Sequence, residues 1–378
     1  MAKNIIICCD GTGNEVDGDL SNVLKLYRIA GKTDEQRVFY DPGIGTLGTS
    51  SAWSRLRRKA RLVFGLATGQ GLDENVLDAY RFLCETYEQD DRIYLFGFSR
   101  GAYTVRVLAA LIHMIGLLSD DQRNLADYAL AAYKRASEKN DFHIAWDFGR
   151  MVSARRPTIH FMGLWDTVSS VLVPRSSFPY LPKQLTLPYT RENRSVRAVR
   201  HAVAIDERRR MFRSNEWVLQ QPFVADRFAH PPVEVAQDTK VMWFAGVHAD
   251  IGGGYPESES GLSKFPLAWV IDEAIANDLI IDQRMYEHLV LGEPDPRGRH
   301  TYVPPSASAK LHQSLSGFWW VLEYLPKKTK WREWPGAEFL HRYLPQGEPR
   351  ALPRDADVHP SVAERKAACP NYRPINLP

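Results

Sequence analysis

The sequence predicts an α/β protein: a mostly parallel central sheet with helices on both faces, plus irregular or helical cap segments. Three observations carry that prediction. Short apolar runs rich in β-branched or aromatic residues recur along the chain, and longer stretches with helical apolar spacing separate them. No internal repeat or low-complexity tract replaces the alternation. Strand, helix, strand requires crossover connections, and crossovers pair strands in parallel. An apolar content of 44% over 378 residues is enough to fill the core such a sheet needs.

The elements follow in order. "NIIICC" reads as the first strand; its apolar run from Ile5 to Cys9 is too short for a signal-peptide core and passes directly into "DGTGN". Cys8 and Cys9 are expected on opposite faces of that strand. In "GLDENVLDAYRFLCETY", Leu72, Val76, Tyr80 and Leu83 form one helical face. "RIYLF" is a strand ending at Phe96, and "AYTVRVLAALIHMIGLL" is apolar nearly all round, as a buried helix is. "TIHFMGLW" and "KVMWFAGV" are further strands. Two excursions leave the sheet: residues 171–193, rich in proline and apolar residues, and everything beyond about residue 295. We therefore expect a catalytic domain over residues 1–295, with 171–193 as a covering loop, and a cap or extension over 296–378.

Charge and cysteine usage narrow the class. The 48 basic and 45 acidic residues nearly cancel, so no net field recruits nucleic acid or an anionic membrane, and any such binding must be local. No nucleic-acid partner is expected. Cys8, Cys9, Cys84 and Cys369 show no zinc-ligand spacing and read as free thiols in a reducing compartment, hence a cytoplasmic protein. The longest apolar run, from Val107 to Leu118, is interrupted by His113 and is far short of a membrane span.

Gly97-Phe98-Ser99-Arg100-Gly101 lies between a strand and a helix, the context in which G-x-S-x-G forms a nucleophile elbow. A side chain two residues before or after the serine would collide with a neighbouring element, so Gly97 and Gly101 are required sterically. Ser99 then stands exposed at the carboxyl edge of the sheet, at the N-terminus of a helix that favours developing negative charge. A hydroxyl becomes nucleophilic only when a base takes its proton, which calls for a histidine and an acid to orient it. Among 11 histidines, His248 alone ends a strand in glycine-rich surroundings. His113 reads as a core histidine, and His160 and His201 lie within elements. Asp166, directly after "FMGLW", is the acid. Of its rivals, Asp250 is expected to be held by its own turn and to support the site, and Asp206 to lie on a salt-bridged helix face. The order Ser99, Asp166, His248 is that of α/β-hydrolases.

An acyl-transfer site also needs two N–H donors for the oxyanion. Arg100 supplies the first, and Gly11 or Thr12, in the loop after the first strand, the second, with Asp10 beside them. The loop's D-G-T also resembles an aspartyl-phosphate phosphatase motif, but Cys8 stands where that chemistry needs an aspartate, and the reading fails.

Together, "DGTGN", "YDPGIGT", "GFSRGAYTVR", "GLWDTVSS", "HAVAIDERR" and "GVHADIGGGY" resemble an uncharacterised α/β-hydrolase family that includes the catalytic domains of type VI secretion phospholipase effectors. "HPSVAERKAACPNYRPINL" is similar to that family's closing segment. The resemblance implies a serine, aspartate and histidine triad on Ser99, Asp166 and His248. It also implies lipid or phospholipid esters as substrates.

The expected function is ester cleavage through an acyl-enzyme, with no cofactor and no metal. A soluble ester or thioester substrate, or a catalytically idle scaffold used for binding, are the alternatives. "FWWVLEYLPKKTKWREW", residues 318–334, sets tryptophans beside cations; it is either a cap over the sheet or a peripheral membrane contact. "RLRRKAR", residues 55–61, is either a solvated helix face or a phosphate-binding run.

Overall fold

The computed structural model describes residues 2–11, 19–43, 71–168, 172–173, 183–184, 187–226, 229, 231–296, 300–329 and 332–377. Thr12, the basic run at 55–61 and most of the expected covering loop lie outside them.

Seven parallel strands form the central sheet: β1 (Asn4–Cys9), β2 (Gln36–Asp41), β3 (Arg92–Phe98), β4 (Ile159–Trp165), β5 (Val196–Ala204), β6 (Asp238–Phe244) and β7 (Asp357–Val358), in the order β7-β6-β5-β4-β3-β1-β2. Alternation along each strand loads both faces. Ile5, Ile7 and Cys9 pack with Leu95 and Leu164 toward the helices Leu72–Thr86 and Arg100–Met114. Ile6 and Cys8 pack with Tyr94, Phe96 and Trp165 toward the helices Asn22–Ile29 and Lys264–Ile275. The adjacent cysteines thus face opposite layers. Arg100–Met114 is buried along almost its whole length, as its all-round apolarity requires. His113 is a satisfied core histidine, its Nδ1 2.8 Å from Ser195 Oγ.

Strand β5 has no uninterrupted apolar run because Arg200 and His201 sit in its middle. Both are buried, and both are satisfied. Arg200 pairs with Glu273 at 2.6 Å and Asp238 at 2.7 Å, while the Thr167 N–H donates to His201 Nε2 at 3.3 Å. Asp206 and Glu207, expected on a helix face, instead occupy the bend that follows β5. The reason is the strand itself: β5 runs to Ala204 in register with β6, so the next residues turn at the sheet edge.

The stretch beyond residue 295 contributes to the sheet. Asp357 and Val358 pair with Met242 and Trp243 of β6, and Val362 packs on Val203, Ile205 and Trp243. Short excursions decorate the core: Leu172–Val173 pairs with Lys183–Gln184, and Lys327–Lys328 pairs with Arg342–Tyr343. Residues 187–193 are tied to the helix after Ser99: the Leu187 N–H donates to Tyr103 Oη at 3.3 Å and Asn193 Nδ2 to the Ala109 carbonyl at 3.1 Å.

Candidate active site

Parallel strands deliver side chains to their carboxyl edge, and three of them deliver the expected residues. Ser99 follows β3, Asp166 follows β4, and His248 opens the short helix His248–Gly252 after β6. Ser99 adopts φ 58°, ψ −119°, a conformation that costs a non-glycine residue energy, and its N–H is held by the Trp165 carbonyl at 3.0 Å. The elbow leaves no room for a Cβ at its glycines. One at Gly97 would lie 2.5 Å from the Gly101 carbonyl oxygen, and one at Gly101 would overlap the Cys9 carbonyl of β1.

One line of hydrogen bonds joins the three side chains. Ser99 Oγ donates to His248 Nε2 at 2.8 Å, and His248 Nδ1–H donates to Asp166 Oδ2 at 2.5 Å. All three residues are buried. The imidazole lies between Phe98 and Phe212, with ring centroids 4.7 and 4.8 Å away. Burial lowers the His248 pKa below its ordinary value, offset in part by the hydrogen bond and charge of Asp166, so the resting ring is neutral and able to accept a proton. Burial alone would raise the Asp166 carboxyl, but the Arg350 guanidinium, aided by His248, overrides it and holds the group well below the usual carboxylate range.

Arg350 was not legible in the sequence, where "GEPRALP" carries no motif. It is buried and grips Asp166 with both arms, Nη1 to Oδ1 at 2.5 Å and Nη2 to Oδ2 at 3.0 Å, while also donating to the Ala204 and Phe212 carbonyls. The Ala204 N–H completes the acid's shell at 3.0 Å.

Glu207 was also missed as a site residue, since beside Asp206 and three arginines it reads as part of a salt-bridged helix face. It is buried, accepts the His248 N–H at 3.2 Å and the Ser314 hydroxyl at 2.8 Å, and is forked by Arg209. Burial opposes its ionisation, but Arg209 prevails and brings its pKa down to about 2.

Asp250 does not touch the serine line. Its Oδ2 accepts the Val247 N–H at 3.0 Å, as its own turn implied, and its Oδ1 meets His312 Nδ1 at 2.7 Å. His312 Nε2 faces Glu259 at 2.9 Å, so one imidazole links two carboxylates. Burial works against the charged ring, but hydrogen bonds to Asp250 and Glu259 raise its pKa.

Around the oxyanion position, Arg100 is the first residue of its helix, where an N–H has no intrahelical acceptor. Gly11 departs from the expectation: its N–H donates to Asp10 Oδ1 at 2.6 Å. The adjacent carboxylate captures the donor within the same tight turn. Asp10 is itself buried and fixed by hydroxyl donations from Ser21 and, at 2.9 Å, from Tyr40. A cavity of about 460 Å³ lined by Leu187, Tyr189, Phe142 and Val218 includes none of Ser99, Asp166 or His248 among its walls.

The fold and site define an α/β protein of hydrolase-like architecture with a serine, histidine and aspartate in one hydrogen-bonded line at the sheet edge. The family model described as "T6SS, Phospholipase effector Tle1-like, catalytic domain" matches residues 3–273, and the chain belongs to that family. That description names the catalytic domain of phospholipase effectors. An uncharacterized Saccharomyces cerevisiae protein, YEL023C, is 35% identical over 226 residues; the match covers 56% of this chain and 32% of that protein, so the chain spans about a third of its relative. Two solved structures are similar at lower levels. An uncharacterized Pseudomonas aeruginosa protein has 18% identity over 74% of this chain and 46% of that one, with a TM-score of 0.37. The Tle1 effector bound to the VgrG spike of the type VI secretion system has 19% identity over 69% and 53%, with a TM-score of 0.31. Among the described residues no helix is long and apolar enough to cross a membrane.

Proposed function

We propose that the chain is a serine esterase that cleaves lipid esters, phospholipids foremost, through an acyl-enzyme. The observation that carries this is the unbroken line Ser99 Oγ, His248 Nε2, His248 Nδ1, Asp166 Oδ2, at 2.8 and 2.5 Å, in a buried setting. Ser99 Oγ attacks the ester carbonyl while His248 Nε2 takes its proton. Asp166 orients the ring and stabilises the imidazolium that forms. The carbonyl oxygen acquires negative charge at the helix N-terminus, where the Arg100 N–H is one donor. Gly11, the other expected donor, gives its N–H to Asp10 instead. Collapse of the tetrahedral intermediate expels the alcohol, protonated by His248. Water, activated by the same imidazole, then releases the acid and restores Ser99.

The lipid substrate would be met at a membrane surface, and the family points to that class. The test is a fluorophosphonate label on wild type and Ser99→Ala, followed by a panel of short esters, long-chain esters and phospholipids. Labelling that persists in Ser99→Ala would remove the mechanism. A preference for short soluble esters over every lipid would keep the mechanism and change the substrate.

A further inference from the structure

Residues 319–329 and 332–344 carry a surface that packing does not explain. The short helix Phe318–Glu323 leads into a hairpin whose strands are Lys327–Lys328 and Arg342–Tyr343. Val321, Tyr324, Leu325, Phe339, Leu340 and Leu344 are exposed, Phe339 at 78% and Leu340 at 76%. Soluble surfaces rarely hold so many large apolar groups on one element pair without a partner. The turn sharpens the point. Phe339 and Arg342 exchange backbone hydrogen bonds at 2.8 and 3.0 Å, and the two residues between them, Leu340 and His341, have φ of 49° and 57°. Asparagine and glycine suit such left-handed positions; here a leucine occupies the tip beside an outward phenylalanine.

Charge says what the surface meets. Lys327, Lys328, Arg332 and Arg342 lie on or beside the hairpin. Of the neighbouring acids, Glu323 is buried and accepts the Arg210 N–H, and Glu333 is turned to Arg210 and Arg213; Glu338 is exposed. Lys327 is half-buried toward Glu323, and Arg332 donates to the Gly336 carbonyl. Lys328 is exposed and Arg342 half-exposed against the one exposed acid, Glu338, so among the described residues the outward balance is positive around an apolar centre. The same helix reaches the reaction centre: Trp319 stands edge-on to Phe212 at 5.3 Å, and Phe212 stands against His248 at 4.8 Å.

We propose that this face docks on an anionic lipid bilayer. Phe339, Leu340, Leu325 and Tyr324 enter the boundary between headgroups and acyl chains, and Lys328 and Arg342 meet the phosphates. Its purpose, bringing the site to its lipid, rests on the lipid-ester reading; the binding itself does not need Ser99.

The 378-residue chain carrying Ser99→Ala is floated with vesicles of phosphatidylcholine alone or mixed with phosphatidylglycerol. Binding is expected to favour the anionic vesicles. It should fall at least about tenfold in a Phe339→Ser, Leu340→Asn double variant and in a Lys328→Glu, Arg342→Glu double variant. Asparagine suits the left-handed backbone, so the first variant keeps its fold, to be checked by its melting curve. Val233→Ser with Val235→Ser, an exposed apolar pair on a separate hairpin, should bind like the parent. Equal binding by parent and hairpin variants, or no vesicle binding by the parent, overturns the proposal. So does a hairpin variant whose only change is loss of a dimer in light scattering, which would assign the face to a second copy. In the active protein the hairpin variants should hydrolyse a short soluble ester normally and vesicle phospholipid poorly. A parent inactive on both would instead refute the catalytic reading, while the flotation result stood.

Discussion

Replacing Arg350 with glutamine tests whether the acid at this site depends on a residue 184 positions away in the chain. The guanidinium makes four kinds of contact at once, with both Asp166 oxygens and with the Ala204 and Phe212 carbonyls, and all are buried. Removing one partner of a buried ion pair costs about 3–5 kcal/mol. At about 2.1 cal/mol/K of unfolding entropy per residue, a chain of 378 residues shifts its Tm by roughly 1.3 °C per kcal/mol, so the variant should melt about 4–6 °C lower while remaining folded at 25 °C. Catalysis should suffer separately. A hydrogen bond to a charged group contributes about 1.5–3 kcal/mol, which converts to a loss of roughly 10- to 150-fold in kcat/KM if it orients Asp166 for the transition state.

Two further readouts separate positioning from mere stability. Arg350 holds Asp166 low and shares its charge, so without it the carboxylate is more basic and stabilises the imidazolium more. The acidic limb of the pH profile, expected below about 6.5 in the wild type because His248 is lowered, should therefore move to higher pH. The linkage has the corresponding sign. A depressed carboxyl stabilises the fold above its unfolded pKa of about 4 and loses that contribution as pH falls, so acid sensitivity of Tm should shrink in Arg350→Gln. Arg350→Lys keeps the charge without the fork and should fall between the two. An Arg350→Gln enzyme with wild-type kcat/KM and an unmoved acidic limb would refute the argument.

Asp166→Asn should cost orders of magnitude in kcat, whereas Asp250→Asn, which disturbs only the His312 contact and a turn, should cost far less; the reverse ranking in steady-state assays would move the acid role to Asp250. His312 has a raised pKa, so its link between Asp250 and Glu259 stabilises fully below about pH 6.5 and weakens as pH rises through the folded value; melting curves of His312→Ala should lose that alkaline decline. Gly101→Ala should yield little folded protein, because its Cβ meets backbone of β1 and not a side chain that can turn aside; a normally expressed, fully active variant would show that the elbow can relax.

What was legible and what was not divide along physical lines. Ser99, Asp166 and His248 could be read because each follows an apolar run that ends abruptly, and a parallel sheet sends such ends to one edge. Strand β5 escaped because buried Arg200 and His201 mimic a polar face; only partners from distant elements, Glu273 and Thr167, make them tolerable inside. Arg350 escaped for the same reason. A lone charged residue in a sequence is presumed solvated, and nothing local announces that its counter-charge arrives from elsewhere. Gly11 shows the converse limit: its loop was placed correctly, but the direction of one N–H depends on a carboxylate a single residue away.

The all-parallel sheet has a consequence for how such a protein can change over evolutionary time. Its reactive side chains ride on strand ends whose spacing is fixed by backbone pairing, while the chain between them travels through crossovers that pairing does not constrain. Lengthening a connection is cheap, about 0.6 kcal/mol for each doubling of a flexible loop. A lineage can therefore accumulate large inserted regions, and with them new partners and destinations, without moving Ser99, Asp166 or His248 relative to one another. The chemistry is inherited with the sheet, and the crossovers are where descendants are free to differ.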